Sequence, residues 1–340
     1  MATSLAASAT AGAIFGSALT LSGVYSPWII LSQMQNSNFH MLQTFLTASG
    51  CSTIAMILAR RYGIAPCPPR SPTALGTFPY DGNIIGGLLL GTGMTLTGAC
   101  PGTVLVQIAT GIRSGYFSFL GGILGGTMYG MVKPFLSSNS RNRGAGVTAA
   151  AVKDEPRTVQ QYVGMREERL VLIYEGFLVL VLMLASLTER ADNVLFPPVV
   201  GGFLIGVGQV ASLVLTRSAV GVSSAYEQLG GATKRAWGYM SGGGKDSGPQ
   251  PAYNSVVFAG GVVFGSWVLS LAVDLKVPGG DAPIADSTAI LGGLIMVLGA
   301  RVAGGCTSGH GISGMSTFSI ASIISVAAMF TGGMGLALLM

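Results

Sequence analysis

Charge is what this sequence has least of. Only 9% of its 340 residues are Asp, Glu, Lys or Arg, against about 25% in an ordinary soluble domain. Such a chain lacks the polar surface that water requires, which excludes a soluble globular fold. Basic residues are missing from the start: the first is Arg60. The opening apolar run has no positively charged n-region and reads as a first membrane span rather than a cleaved signal peptide. Cysteine is scarce as well. Cys51, Cys67, Cys100 and Cys306 are too few and too scattered for a disulfide framework, and no CxxC or Cys/His spacing suggests a metal. No cofactor motif is present, so none is expected. The net charge of +5 would point to nucleic acid in a soluble protein. Here the cations lie in loops between apolar runs, where orientation in a bilayer accounts for them and no nucleic acid is implied.

What the chain has in abundance is apolar sequence and glycine: half of its residues are hydrophobic and 52 are Gly. Cutting the apolar stretches at the roughly 20-residue length of a membrane helix gives nine spans, near 9–24, 41–59, 83–99, 115–136, 169–188, 198–216, 252–273, 287–303 and 319–340. The expected fold is an all-α polytopic membrane protein. Four further stretches (22–34, 101–111, 218–230 and 307–314) are too uncharged for free loops and too short to cross. Non-helical backbone at membrane depth must be buried in protein or line a polar cavity, so these read as re-entrant turns or half-helices.

One device occurs twice. Residues 84–100 read IIGGLLLGTGMTLTGAC and residues 290–306 read ILGGLIMVLGARVAGGC; shifted by 206 positions they share seven residues of seventeen, ending on Cys100 and Cys306. Each copy is an apolar run that closes in a small-residue turn with one cysteine at its tip. Four spans precede the fifth and four follow it, and an odd connector inverts the second half relative to the first. Two inverted pseudo-repeats are the expectation, with the site near the midplane at their interface. The divisions are a first half over 1–136, a cytoplasmic linker over 137–168, a connecting helix over 169–188, and a second half over 189–340 that contains a polar loop at 231–250. Fourteen of the seventeen loop cations fall on the N-terminal side. The positive-inside tendency therefore puts the N-terminus in the cytoplasm and the C-terminus outside, in the plasma (inner) membrane.

The two cysteines are the first candidates for chemistry. A single free Cys is commonly a small core residue; a pair at equivalent tips is harder to explain that way. Gly98, Gly304 and Gly305 leave no side chain over the sulfurs and let backbone N–H groups face a ligand. Pro101 suits the first turn of a following half-helix, whose N-terminus favours an anion. Arg301 lies within an apolar run. It reads either as a functional charge, attracting an anion or neutralising Glu175, or as a side chain snorkelling to the interface. His310 reads as an anion or proton ligand, or as a satisfied buried polar residue. Cys51 reads as packing or as a further thiol reaching the path from another direction, and Cys67 as a loop residue. Neutral thiols are the expectation for Cys100 and Cys306, since an S–H is a weak donor that holds an anion and releases it.

The GG…G…G(A/G)C repeat, the chain length, the four re-entrant pieces and the segment LTRSAVGVSSAYEQL at 215–229 resemble the YeeE/YedE family of sulfur transporters. The resemblance implies passage of thiosulfate between a few central cysteines by S–H hydrogen bonds, with Cys100 and Cys306 at two of those positions. A third family cysteine is absent. Tyr25, in SGVYSP, stands near that point and offers an O–H donor instead. The implied function is uptake of thiosulfate or a related inorganic sulfur anion, with no enzymatic step, and a cytoplasmic sulfurtransferase as a candidate receiver. The alternatives are a selenium or sulfide cargo, a membrane-embedded sulfurtransferase that forms a persulfide on cysteine, or a scaffold subunit.

Overall fold

The computed structural model describes residues 5–144, 157–187, 194–240, 253–280 and 282–340. Among these residues the backbone is helical or irregular, and the extended pairing is confined to an isolated bridge between Thr158 and Ser319. Helices α1 (Leu5–Leu21), α3 (His40–Arg61), α4 (Asp81–Thr97), α6 (Arg113–Gly144), α8 (Glu167–Ala185), α9 (Pro198–Thr216), α11 (Asn254–Ala272), α12 (Asp286–Val302) and α13 (Ile320–Ala337) lie over the nine apolar stretches. The short pieces are α2 (Pro27–Met34), α5 (Thr103–Ala109), a surface turn α7 (Val159–Val163), and a π-helical turn Ser308–Gly314 followed by a 3-10 turn Met315–Thr317. Helices α3, α9, α11 and α13 are long and apolar enough to cross a membrane. This is an all-α membrane protein.

The elements pair in a patterned way. Helix α1 packs on α11 and α9 on α3; α6 packs on α12 and α13 on α4. Joining these pairs, α4 and α12 lie side by side, and they are the two copies of the repeated stretch. Gly86 faces Gly299 and Ala303, Gly93 faces Met296, and Gly292 faces Leu96 and Thr97. As the number rises along α4 it falls along α12, so the copies run antiparallel. A side chain at Gly93 would stand 2.5 Å from the Met296 backbone nitrogen. The glycines are there because backbone meets backbone.

Three of the four expected re-entrant pieces are short helices or turns. The fourth departs from its reading. Residues 217–222 are irregular, and α10 (Ser223–Met240) then runs as one helix through 230 and into the stretch read as a polar loop. The pair Gly230–Gly231 does not end it, because Gly230 lies directly on the Thr127 and Gly126 backbone of α6 and Gly126 on that of Tyr226. Close helix packing, rather than turn chemistry, explains that glycine. Helix α6 likewise passes Pro134 and 136 to reach Gly144. Residues 145–156 and 241–252, with Lys153 and Lys245 of the charge count, lie outside the described residues, as does Arg190.

Candidate functional site

Helix α4 ends at Gly98, whose left-handed backbone (φ +56°) caps it. A side chain there would also meet Pro27 Cβ at 2.8 Å. The chain then turns through Ala99, Cys100, Pro101 and Gly102 into α5. This turn is tied together locally: the Cys100 N–H donates to Thr103 Oγ1 at 2.7 Å, and the Thr103 N–H donates to Cys100 Sγ at 3.4 Å. The thiol thus takes up a backbone N–H at the start of α5 that the sequence reading left for an anion. From outside the turn, Gln107 Nε2 donates to the Gly98 carbonyl at 2.9 Å and to that of Tyr25 at 2.8 Å. Tyr226 of α10 donates its hydroxyl hydrogen to the Pro101 carbonyl at 2.8 Å.

The second tip is built on the same plan with different partners. Helix α12 gives way to Gly304 (φ +84°) and Gly305, and the Gly304 carbonyl accepts from Arg70 Nη1 at 3.1 Å. Cys306 is fully buried. Its sulfur lies 3.2 Å from Ser308 Oγ, and the backbone N–H groups of Gly309, Val222 and Ser223 are hydrogen-bonding neighbours of the same sulfur. Donors from two different elements therefore converge on Cys306.

The two tips meet at one small cavity of ≈ 40 Å³, lined by Cys100, Gly102 and Thr103 from the first and Thr307 and Ser308 from the second. Phe15, Leu19, Val24 and Phe45 make the rest of its wall mainly apolar. Ser308 bridges the arrangement, since it borders the cavity and touches the Cys306 sulfur. On the side of Arg70 a larger cavity of ≈ 400 Å³ is bordered by Cys67, Arg70, Arg217, Ser313 and Thr317.

The other expected site residues fall as follows. Tyr25 is buried, but it is Val24 that borders the small cavity. His310 is buried and both ring nitrogens are engaged, Nε2 with the Ala303 carbonyl and Nδ1 with Ser322 Oγ, each at 3.0 Å. A carbonyl only accepts, so Nε2 carries the proton and Nδ1 accepts from the serine. His310 pins the turn after Cys306, which is the satisfied-polar reading. Gly305 serves this packing: a side chain on it would stand 2.9 Å from His310 Nε2. Arg301, 16% exposed, pairs with Glu227 of α10, which also holds Lys133 of α6. Its guanidinium lies 5.5 Å from the Tyr129 ring centre. The carboxylate partner is thus Glu227 rather than Glu175. Cys51 packs against Gly206. Cys67 is a buried wall residue of the larger cavity. Sequence reasoning missed Arg70, Gln107 and Tyr226. Arg70 is the one that left a signal, a lone cation inside the proline-rich run APCPPRSP.

The "Sulphur transport" family model matches residues 22–335, which spans both tips. The chain belongs to that family, the YeeE/YedE sulphur transporters. Among individual relatives, it is 33% identical over 143 residues to a "Probable transporter" of Xylella fastidiosa, covering 42% of this chain and 93% of the relative. It is 24% identical over 278 residues to the "Thiosulfate transporter TsuA" of Spirochaeta thermophila, covering 79% of this chain and 78% of that one.

Proposed function

We propose that this protein carries thiosulfate, or a closely related inorganic sulfur anion, into the cell along a path marked by Cys100, Ser308 and Cys306. One observation carries the reading: the cysteine tips of two antiparallel repeat copies border, or touch through Ser308, the same central cavity. Family membership and the thiosulfate-transporting relative agree with it. The cavity's narrow, mainly apolar wall suits a weak-contact relay, because conduction requires binding that also lets go. The paired packing of α1–α11 with α9–α3, and of α6–α12 with α13–α4, supports two inverted halves around the connector α8. All nine long helices then cross, with the N-terminus in the cytoplasm and the C-terminus outside. A cytoplasmic sulfurtransferase would be a fitting receiver.

Purified protein in liposomes tests this. Labelled thiosulfate should enter protein-containing vesicles and not empty ones. Removing one thiol donor forfeits roughly 1 kcal/mol, so Cys100→Ala and Cys306→Ala should each slow uptake about fivefold or more. Cys→Ser variants should recover part of it. Absence of uptake by the wild type sinks the proposal.

A second reading has an observation of its own, the N–H groups gathered around Cys306. On this reading Cys306 acts as a thiolate and attacks the sulfane sulfur of thiosulfate. The S–S bond of thiosulfate breaks, sulfite leaves with the bonding pair, and Cys306 keeps the sulfur as a persulfide. Mass spectrometry of the wild type after turnover separates the two readings. Unmodified cysteines support permeation; a stoichiometric persulfide on Cys306 supports transfer.

A further inference from the structure

The larger cavity contains the most unusual charge in the molecule. Arg70 leaves the loop between α3 and α4 and reaches to the turn after Cys306. Its Nε donates to the Gly309 carbonyl at 2.7 Å and its Nη1 to the Gly304 carbonyl at 3.1 Å. The Arg70 carbonyl in turn accepts from Ser319 Oγ at 2.9 Å. Five of the described cations, Arg60, Arg61, Arg113, Lys133 and Arg301, have a carboxylate partner. Arg70 has none among the described residues; it is held by neutral carbonyls alone. Burial works against its charge, the nearby Cys306 favours it, and Arg301 opposes it. Nη2 makes no hydrogen bond to a described residue, and a side chain built on Gly221 would lie 3.5 Å from it. Arg217 borders the same cavity, exposed, at the left-handed end of α9 (φ +54°). The remaining wall includes the hydroxyl residues Ser313 and Thr317 and no acid.

A half-buried guanidinium held in place by carbonyls, with a free edge and no carboxylate partner among the described residues, is preorganised for an anion that comes and goes. Its planar fork suits two oxygens of a sulfonate-like group. Two cations in one recess also raise the local concentration of anions by focusing the field.

We propose that Arg70 and Arg217 make this cavity an anion-binding vestibule at the basic face of the protein, the next station for an oxyanion that has passed Cys306. The step from Cys306 is short in structural terms, since Gly304 and Gly309, on either side of that cysteine, are the residues that hold Arg70. The placement in a sequence of stations rests on the transport reading above; the anion selectivity of the cavity does not.

The test uses charge-selective thiol reagents on the full-length protein. Ala219 is exposed and borders the cavity, so Ala219→Cys is the reporter, in a Cys67→Ser background that serves as its baseline. With Arg70 and Arg217 present, a sulfonate-bearing methanethiosulfonate should react faster than its trimethylammonium counterpart by about tenfold. Thiosulfate should slow the labelling. Arg217→Gln should reduce the ratio several-fold, Arg70→Gln should reduce it further and abolish protection by thiosulfate, and Arg70→Lys should keep most of the ratio. Arg217 is exposed and its side chain makes no hydrogen bond or ion pair among the described residues, so its variant guards against a folding artefact at Arg70. A ratio near one in the parent, or one unchanged by both Gln variants, overturns the proposal. A high ratio in a protein that moves no thiosulfate would leave the vestibule standing and remove the transport reading instead.

Discussion

Tyr226 gives its hydroxyl hydrogen to the Pro101 carbonyl across 125 positions of chain, at 2.8 Å. The tyrosine is buried, its ring lies edge-on to Phe119 with centroids 5.7 Å apart, and the bond fixes the turn that presents Cys100. Tyr226→Phe keeps the ring and leaves a buried carbonyl unpaired, which costs about 1–3 kcal/mol. Thermal unfolding should show a drop of that order. Thiosulfate uptake should fall although both cysteines remain, and an unchanged rate would mean that the turn holds its shape without the bond.

The seam between helices predicts opposite fates for two glycines. A methyl group on Gly91 would collide with the Met329 carbonyl, whereas one on Gly231 meets nothing within 4 Å. Gly91→Ala should destabilise by about 1–3 kcal/mol through overpacking. Gly231→Ala, within α10, should be neutral or stabilising by up to about 1 kcal/mol from helix propensity. Melting in detergent distinguishes them.

Glu227 serves two cations that differ in exposure. Lys133 is 55% exposed and Arg301 16%. Lys133→Gln removes a screened surface pair and should cost under about 1 kcal/mol. Glu227→Gln strands Arg301 in the interior and should cost about 3 kcal/mol or more. Arg301→Gln should fall between them, because Glu227 keeps Lys133. Equal effects from all three would show that the buried pair carries no special weight.

Orientation can be read with impermeant thiol reagents in a cysteine-free background. Tyr62 and Lys276 are both exposed, at opposite ends of the helices. Tyr62→Cys should label only from the cytoplasm and Lys276→Cys only from outside. The reverse pattern would invert the topology inferred from charge.

The architecture was legible in the sequence where apolar length and repetition carry it. An all-α membrane fold follows from the apolar runs, and four of the described helices are long and apolar enough to cross a membrane. The 206-residue offset announced two equivalent tips. What could not be read was set by contacts between distant segments. In the sequence Glu227 belongs to a re-entrant piece, and nothing local links it to Arg301. Arg70 looked like one more loop cation, since a sequence does not show that a loop folds inward onto Gly304 and Gly309. From sequence alone the glycines beside the cysteines read as openings for a ligand. Gly98 and Gly304 end helices instead, a role their positive φ makes plain only in three dimensions. The sequence puts Tyr25 at the expected depth, but a one-residue offset gives the cavity wall to Val24.

The antiparallel contact of α4 with α12 also limits how this molecule can move. Side-chain layers can slide past one another by exchanging rotamers, but backbones interlocked at Gly86, Gly93, Gly292 and Gly299 have nothing to exchange. The two helices behave as a single beam whose cysteine turns lead back to one cavity. Rocking one half of the protein against the other would have to shear that beam. The cheaper motions belong to the seven-residue α5 and the π turn, which close the beam's ends through a few hydrogen bonds each. Opening and closing would then be local events at the tips, and the bulk of the helices would stay still while cargo passes.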